Sequence, residues 1–240
     1  MKVKFAFMTL TVLLLFVSCK KDTECVEGNN DFLQETRTLD PYNSVQIYGD
    51  ASCFFSIGTE SRVDIFAESN IIPLITTTVN DQKILSVSLK NDACYHAHQS
   101  PEVTLVSPDC SEFSLYGSGD FTTNTLIMDS YEITIQGSGN VNSLLNTRNF
   151  IVNSEGSGNA NFGGNTVAGH IFSSGSGNVY AGNVTSDTCY VISEGSGNIT
   201  VRVMSYLNVT IKGSGNVYYS GDPDIDATVT GSGQLIQQGK

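Results

Sequence analysis

The triplet Gly-Ser-Gly occurs seven times in this chain of 240 residues, and successive copies are 18–20 residues apart. Self-similarity at a short, nearly fixed period is the signature of a solenoid, in which each repeat is one structural unit stacked on the next. The repeat therefore constrains the fold more than any other feature of the sequence. The copies begin at Gly117, Gly137, Gly156, Gly175, Gly195, Gly213 and Gly231.

Apolar and polar residues alternate on both sides of each triplet. This period of two is typical of strands with one buried face. Each repeat is thus predicted to be a strand, a glycine corner and a second strand, with equivalent strands stacked into parallel sheets. The fourth residue before the triplet is Phe113, Ile133, Val152, Ile171, Val191, Val209 and Ala227. The fourth residue after its first glycine is Phe121, Val141, Ala160, Val179, Ile199, Val217 and Leu235.

Two properties of glycine can explain its place at the corners. A tight bend favours positive φ, which glycine adopts without strain, and stacked corners leave little room for side chains. Asn or Asp follows the triplet in six of the seven copies, and stacked asparagines can hydrogen-bond along their column. The residues that follow are Asp120, Asn140, Asn159, Asn178, Asn198, Asn216 and finally Gln234.

The chain ahead of the regular repeats joins the same register in one place. Residues 45–55 (VQIYGDASCFF) parallel residues 113–123 (FSLYGSGDFTT), and further alternating segments occur at 62–67, 84–89 and 103–106. We therefore expect irregular first coils and a cap over residues 35–112, and regular coils over 113–240. Together, residues 35–240 are predicted to form a single β-helix domain.

The reiterated GSGN corners, preceded by Arg37, Leu39, Tyr42 and Val45 in an R-x-L-x-x-Y-x-x-V pattern, resemble the head-GIN-domain family of auto-transporter adhesins. The resemblance covers roughly residues 35–235. It implies an all-β, right-handed parallel β-helix with about 18–20 residues per coil and an irregular N-terminal cap region. The family offers no catalytic residues to transfer to this chain.

Residues 1–18 have the features of a secretory signal peptide. Lys2 and Lys4 precede an apolar run over residues 5–17, which is shorter than the roughly 20 residues that a membrane-spanning helix needs. The stretch FVSCKKD resembles a bacterial lipoprotein signal, which would make Cys19 the lipid attachment site. We expect residues 19–34 to be a flexible tether.

The expected location is the cell envelope, as an outer-membrane lipoprotein held by its N-terminal lipid. KKDTE after the cysteine resembles export tags of some Bacteroidetes surface lipoproteins, which indicates surface exposure. Removal of the signal takes two lysines and no acids, so the net charge changes from −12 to −14. Such an acidic chain repels phosphate backbones, and a nucleic-acid partner is not expected.

Five cysteines remain after Cys19, an odd number for a compartment that permits disulfides. At least one is therefore unpaired or intermolecular. The spacing does not settle which cysteines pair, although Cys94 and Cys110 flank a segment of hairpin size. The five are Cys25, Cys53, Cys94, Cys110 and Cys189.

Nearly constant coil lengths leave little material for the walls of a catalytic cleft. The sequence therefore favours a non-catalytic module for adhesion, or for binding a protein or glycan, without a cofactor. Exposed aromatic rings on a flat sheet suit both ligand classes. The candidate binding surface comprises Phe172, Tyr180, Tyr190 and Tyr218.

Two alternatives remain. Glu155 and Glu194 occupy equivalent corner positions two coils apart, about 9.6 Å by strand spacing, which is near the separation of an inverting glycosidase pair and leaves a polysaccharide lyase or hydrolase open. A metal-binding protein is the other alternative, because suitable ligand types occur in two stretches. These ligands are Cys94, His96 and His98 in one stretch and Asp222, Asp224 and Asp226 in the other.

Overall fold

The structure is a computed structural model that describes residues 25–90 and 93–239. Strands make up 62% of these residues, and Ile72–Leu74 forms one turn of 3₁₀ helix. The strands are β1 Val26–Glu27, β2 Phe32–Thr38, β3 Ser44–Ile47, β4 Ser52–Ile57, β5 Arg62–Glu68, β6 Ile75–Val79, β7 Ile84–Leu89, β8 Tyr95–His96, β9 Glu102–Ser107, β10 Glu112–Leu115, β11 Phe121–Ile135, β12 Val141–Ser154, β13 Ala160–Ser173, β14 Val179–Ser193, β15 Ile199–Ile211, β16 Val217–Ser220, β17 Asp224–Val229 and β18 Leu235–Gln237.

The strands wind into a parallel β-solenoid of about seven turns, as the repeat predicted. From β10 to β15 each strand pairs in parallel with the next along the chain, and β16, β17 and β18 complete the stack. We call one turn that ends at a Gly-Ser-Gly triplet a rung. The long strands β11 to β15 bend within their length, so that one strand covers more than one side of its rung.

Both predicted apolar columns are confirmed as ladders. Val152 pairs with Ile171, and Ile171 with Val191, so equivalent positions of successive rungs lie side by side. In the second column Val141 pairs with Ala160. Every residue of these two columns up to β16 is nearly inaccessible to solvent. Burial of such side chains is the main favourable term in folding, at about 25 cal/mol per Å² of apolar surface.

The corners require glycine because the preceding rung leaves no space for a side chain. A Cβ added to either glycine of any triplet would lie 1.7–2.1 Å from a backbone carbonyl oxygen of the preceding rung. The expectation of positive φ at these corners was wrong, because no triplet glycine has a positive φ. Positive φ occurs instead at Gly49, and at Gly164 and Gly221 in other bends of the rungs.

Backbone and asparagine hydrogen bonds close the corners from rung to rung. The carbonyl oxygen of Gly156 accepts the N–H of Ser176 at 3.0 Å and that of Gly177 at 3.2 Å. The predicted asparagine ladder is also present: the Oδ1 of Asn159 accepts the backbone N–H of Asn178 at 3.0 Å. The same bond recurs at every step from Asp120 to Gln234. Corner amides that a flat sheet would leave unpaired are therefore satisfied.

The N-terminal region caps the solenoid, as predicted. β3 pairs in parallel with β10 and β4 with β11, which confirms the match between residues 45–55 and 113–123. Antiparallel pairs then cover this end, namely β2 with β5, β5 with β9 and β6 with β7. Arg37 donates to the carbonyl oxygens of Ile72 and Ile75, which ties β2 to the cap.

Part of the segment predicted as a flexible tether is structured. Within residues 25–34, β1 pairs with β8, β2 begins, and Cys25 forms a disulfide with Cys94. The tether prediction was therefore wrong for residues 25–34, because these partners lie far along the chain. The rest of the tether, the signal peptide and Cys19 lie outside the described residues.

The remaining three cysteines of the odd set are buried free thiols. The hairpin-sized segment before Cys110 does not mark a disulfide, since Cys94 pairs with Cys25. Burial raises the pKa of Cys53 and of Cys189 to about 12, and it also raises the pKa of Cys110. A buried thiol with a raised pKa behaves as a small apolar side chain.

A buried carboxylate holds the N-terminal segment against the cap. Glu68 accepts the backbone N–H groups of Asn30 and His98, and the His98 ring lies 2.8 Å from its Oε1. Burial by itself raises the pKa of this carboxyl, but the hydrogen bonds and the charge of His98 together lower it below its ordinary value. The ionised form therefore stabilises the docked segment.

We expect Gly177→Ala to destabilise the fold by roughly 3 kcal/mol or more, because the new methyl group would lie 1.9 Å from the Gly158 carbonyl oxygen. Gly163→Ala is the matched control, since the nearest atom to its Cβ would be the end of the Leu144 side chain, at 3.0 Å, and its backbone contact, with the Asn183 carbonyl oxygen, is at 3.9 Å. Chemical denaturation of both variants measures the difference. Equal losses of unfolding free energy would contradict the steric account.

Glu68 makes docking of the N-terminal segment dependent on pH. Because its pKa is lowered in the folded state, its stabilisation is complete above the unfolded-state value of about 4.3 and is lost as pH falls through the folded-state pKa. Protection of the Asn30 and His98 amides, measured as exchange relative to the intrinsic rate at each pH, should fall in acid, and in Glu68→Gln already at pH 7. Glu27→Gln, which removes an exposed partner of His96, should leave exchange at Asn30 unchanged. Protection at Asn30 that is equal in wild type and Glu68→Gln would disprove the role of this carboxylate.

Candidate functional site

The four aromatic residues of the predicted binding surface divide between two sides of the solenoid. Phe172 and Tyr190 lie on strand segments that end at a corner, and Tyr180 and Tyr218 lie on segments that leave one. We call these the entry face and the exit face. The predicted surface is therefore two surfaces, separated by the corners.

Tyr180 and Tyr218 form no common cluster on the exit face. Both pair in register with Thr200, which lies between them, so their backbones are about 9.6 Å apart by strand spacing. Tyr180 is 44% exposed, and Tyr218 is partly buried. They are separate outward rings in a threonine-containing column.

Phe172 and Tyr190 belong to a contiguous cluster on the entry face. The Tyr190 ring stacks on His170, with ring centroids 5.0 Å apart and planes 7° from parallel, and meets the edge of Tyr206 at 6.1 Å. Phe172 pairs in register with Ile192, which is 41% exposed. We define the aromatic patch as Ile151, His170, Phe172, Tyr190, Ile192 and Tyr206.

Hydrogen-bonded polar side chains border the aromatic patch on both axial sides. Toward the N-terminal end, Asn153 donates to Glu132 at 3.2 Å. Toward the C-terminal end, Asn208 donates to Asp226 at 3.2 Å. An apolar centre with a polar border is the usual anatomy of a recognition surface.

A groove runs along the stacked corners beside the aromatic patch. It has a volume of about 640 Å³, and its floor is backbone because the corner glycines have no side chains. One wall carries the residue just before each triplet, and the other carries the triplet serines. The wall residues are Gln136, Glu155, Ser174 and Glu194 on one side and Ser138, Ser157, Ser176, Ser196 and Ser214 on the other.

The groove and the aromatic patch form one continuous surface. Phe172 and Ser174 are consecutive outward positions of one rung, and Ile192 and Glu194 are the same positions of the next. Aromatic and aliphatic faces therefore adjoin a row of hydroxyl and carboxylate groups. This composite surface is the candidate functional site.

The two carboxylates of the groove are hydrogen-bonded to neighbouring rungs. Gln136 donates to Glu155 at 2.8 Å, and Lys212 forms an ion pair with Glu194 at 2.8 Å. Ser174 lies on the rung between them. Each carboxylate can still accept further hydrogen bonds, because an ionised carboxylate has about four acceptor sites.

A second depression begins one rung beyond the groove toward the cap. The Tyr48 and Tyr116 rings stack there at 4.8 Å and 12°, and Tyr95 donates to Asp50 nearby. Burial, and secondarily the charge of Tyr116, raises the pKa of Tyr48. Sequence reasoning did not select this pair, although both tyrosines hold the same place in the aligned segments VQIYGDA and FSLYGSG.

The residues considered as metal ligands have other partners. Cys94 is in a disulfide, His96 contacts Glu27, and His98 contacts Glu68. Across residues 25–90 and 93–239, no three His, Cys, Asp or Glu side chains form a group that could hold a metal ion, and this includes Asp222, Asp224 and Asp226. The same described residues contain no helix long and apolar enough to cross a membrane.

Comparisons with known proteins agree with this fold. A family model described as "Putative auto-transporter adhesin, head GIN domain" matches residues 41–223. A solved structure of a "putative adhesin" from Bacteroides fragilis is 24% identical, covers 89% of this chain and 100% of its own, and superposes with a TM-score of 0.85. A comparison with curated proteins gave no match.

Two further solved structures have the same fold. A "putative adhesin" from Parabacteroides merdae is 22% identical, with 89% and 99% of the two chains covered and a TM-score of 0.68. A "Putative lipid binding protein" from Parabacteroides distasonis is 20% identical, with 90% and 100% covered and a TM-score of 0.73. At these identities the likeness shows the fold alone.

Proposed function

Because this chain belongs to the head-GIN-domain family of auto-transporter adhesins, we propose that it is a non-catalytic adhesion module of the cell envelope that binds a glycan along its aromatic patch and corner groove. The observation that carries the proposal is the continuity of these two surfaces. Sugar rings present C–H faces that stack on aromatic rings and hydroxyl groups that hydrogen-bond to carboxylates and serines.

The negative charge of the surface favours a neutral or amine-bearing glycan as the ligand. Glu155 and Glu194 lie in the groove, and Lys212 is the base that neutralises Glu194. An acidic polysaccharide would be repelled by these groups and by the net charge of the whole chain. A ligand with free amino groups would gain ion pairs with the same carboxylates.

The solenoid holds the binding surface in a fixed conformation before any ligand binds. The aromatic rings rest on strands that are hydrogen-bonded on both sides, and the serines belong to corners fixed by the carbonyl-to-amide ladder. Little conformational entropy is then lost on binding, which favours affinity for a flexible polymer. The repetition of the wall from rung to rung suits a ligand that is itself a repeating chain.

A lipid on Cys19 is proposed as the anchor of this module. The basic n-region, the apolar run and the small residue before Cys19 support it, as does the envelope setting of the adhesin family. Each buried CH₂ of an acyl chain contributes about 0.8 kcal/mol, so acyl chains on one cysteine would hold the protein at a membrane.

We expect Tyr190→Ala to weaken glycan binding about tenfold, because the stacking platform that Tyr190 builds with His170 is lost. Tyr180→Ala is the matched control: Tyr180 is 44% exposed and Tyr190 41%, but Tyr180 lies on the exit face. A glycan array identifies a ligand, and calorimetry compares the variants. Equal affinities for Tyr190→Ala and wild type would place the site elsewhere.

The same binding experiments distinguish glycan binding from the two other candidate functions, protein binding and catalysis on a polysaccharide. Capture of envelope or host material that survives removal of its glycans would indicate a protein ligand and contradict the proposal. Release of sugar fragments that is abolished in Glu155→Gln or Glu194→Gln would indicate a hydrolase or lyase. Stable binding without product formation is the expected result.

We expect Cys19→Ser to release the protein from the membrane fraction into the soluble fraction, because no acyl chain can then be attached. Fractionation of cells that express the full chain, followed by immunoblotting, measures this. Lys20→Ser, which leaves Cys19 in place, should remain in the membrane fraction. Membrane association retained in a Cys19→Ser protein from which residues 1–18 have been cleaved would refute the anchor.

A further inference from the structure

The last rung of the solenoid leaves its inward-facing side chains uncovered. Ile225, Ala227 and Val229 continue columns whose preceding members, in β15, are 0–1% exposed. In the last rung Ile225 is 43% and Val229 47% exposed, and Ala227 is also exposed. The core of the solenoid therefore opens to solvent at this end.

The backbone of the last rung is also unpaired on one side. Within the described residues, β17 pairs only with β15 and β18 only with β16. A strand edge of this kind can hydrogen-bond to another chain. Solenoids ordinarily cover such an end with a capping element.

The opposite end of the solenoid is closed. Val45 and Ile47 pair there with Leu85 and Val87 of β7, all four at most 3% exposed, and the antiparallel strand β6 continues the sheet beyond β7. Head-to-tail stacking into a filament would need both ends open. Contact between two C-terminal ends gives instead a closed, two-fold pair.

We propose that the C-terminal rung docks against the same rung of a second copy of this chain, with β17 paired antiparallel to its counterpart about Ala227. Ile225 of each copy then lies opposite Val229 of the other, and Ala227 opposite Ala227. All three apolar columns would continue across the junction. The proposal concerns assembly and does not depend on the glycan site.

The positions of the charged residues in β17 allow self-pairing in this register and disfavour the registers next to it. With Ala227 on the two-fold axis, Asp226 faces Thr228 of the second copy and Asp224 faces Thr230, so that no carboxylates oppose each other. If the two-fold axis passed through Asp226, Asp226 would lie opposite Asp226 of the second copy. If it passed through Ile225, Asp224 would lie opposite Asp226 of the second copy. Like charges directly opposite in a sheet are destabilising.

The remaining neighbouring registers lose the apolar contacts. An axis at Thr228 would move Ile225 opposite Gly231, which has no side chain to cover it. An axis between two residues would put the inward face of one copy on the outward face of the other. The segment DIDATVT is therefore self-complementary in one register.

Oxidative cross-linking of the full chain in the bacterial envelope tests the proposal. Ala227→Cys places two thiols opposite each other, and directly opposed strand residues have Cα atoms about 4.5–5.5 Å apart, within the range of a disulfide. We expect a covalent dimer on non-reducing gels. Wild type should give none, because Cys53, Cys110 and Cys189 are buried, Cys25 pairs with Cys94, and the thiol of Cys19 is blocked by the proposed lipid.

Matched variants distinguish a specific junction from random collision. Val167→Cys alters a 52% exposed apolar strand residue on the side of the solenoid and should cross-link at least several-fold less. In the Ala227→Cys background, Ile225→Lys should abolish the dimer, whereas Val167→Lys should retain it. Absence of the dimer in Ala227→Cys, or equal yields from positions 227 and 167, would overturn the proposal. A higher yield from Thr228→Cys would overturn the register.

Discussion

The contact between glycine corners of successive rungs determines most of this structure. Each corner brings backbone directly onto backbone, with the first carbonyl of a triplet accepting two amides of the next. At 1.7–2.1 Å from the underlying oxygen, no Cβ can be accommodated. An insertion or a bulky residue at a corner would separate two rungs along the whole ladder, so the coil length stays within 18–20 residues.

The same constraint determines where the molecule can vary. Inward positions must fill the core, and corner positions must remain glycine, which leaves the outward positions free to differ from rung to rung. The aromatic patch occupies these positions in adjoining rungs, and polar residues replace it on either side. The groove has the same origin, because a row of residues without side chains lies between two rows that have them.

The two ends of the solenoid differ in whether the apolar core is covered. At the N-terminal end, the Cys25–Cys94 disulfide, the Glu68 carboxylate and antiparallel strands close the core. At the C-terminal end, the last rung repeats the inward columns without covering them. A stacked fold needs a cover at both ends, because each rung buries its apolar face only against a neighbour.

The sequence by itself determined the period, the strand alternation, the two apolar columns and the need for glycine at the corners, because these depend on spacing that recurs in every repeat. It also showed that Phe172, Tyr180 and Tyr190 face outward, since this depends only on whether a position is odd or even within its strand. Only the tertiary structure decided which of them are neighbours. Tyr180 follows Phe172 by eight residues yet lies beyond the corner, whereas Tyr190, eighteen residues on, lies one rung away.

The disulfide, the strands of residues 25–34 and the partners His170 and Tyr206 were likewise decided by the tertiary structure. The structure also showed that the triplet glycines do not have positive φ, which the sequence did not predict. The physical reason is common to all of them. A repeat fixes the contacts between equivalent positions, because their separation equals one rung, whereas contacts between unlike segments depend on where the folded chain brings them together.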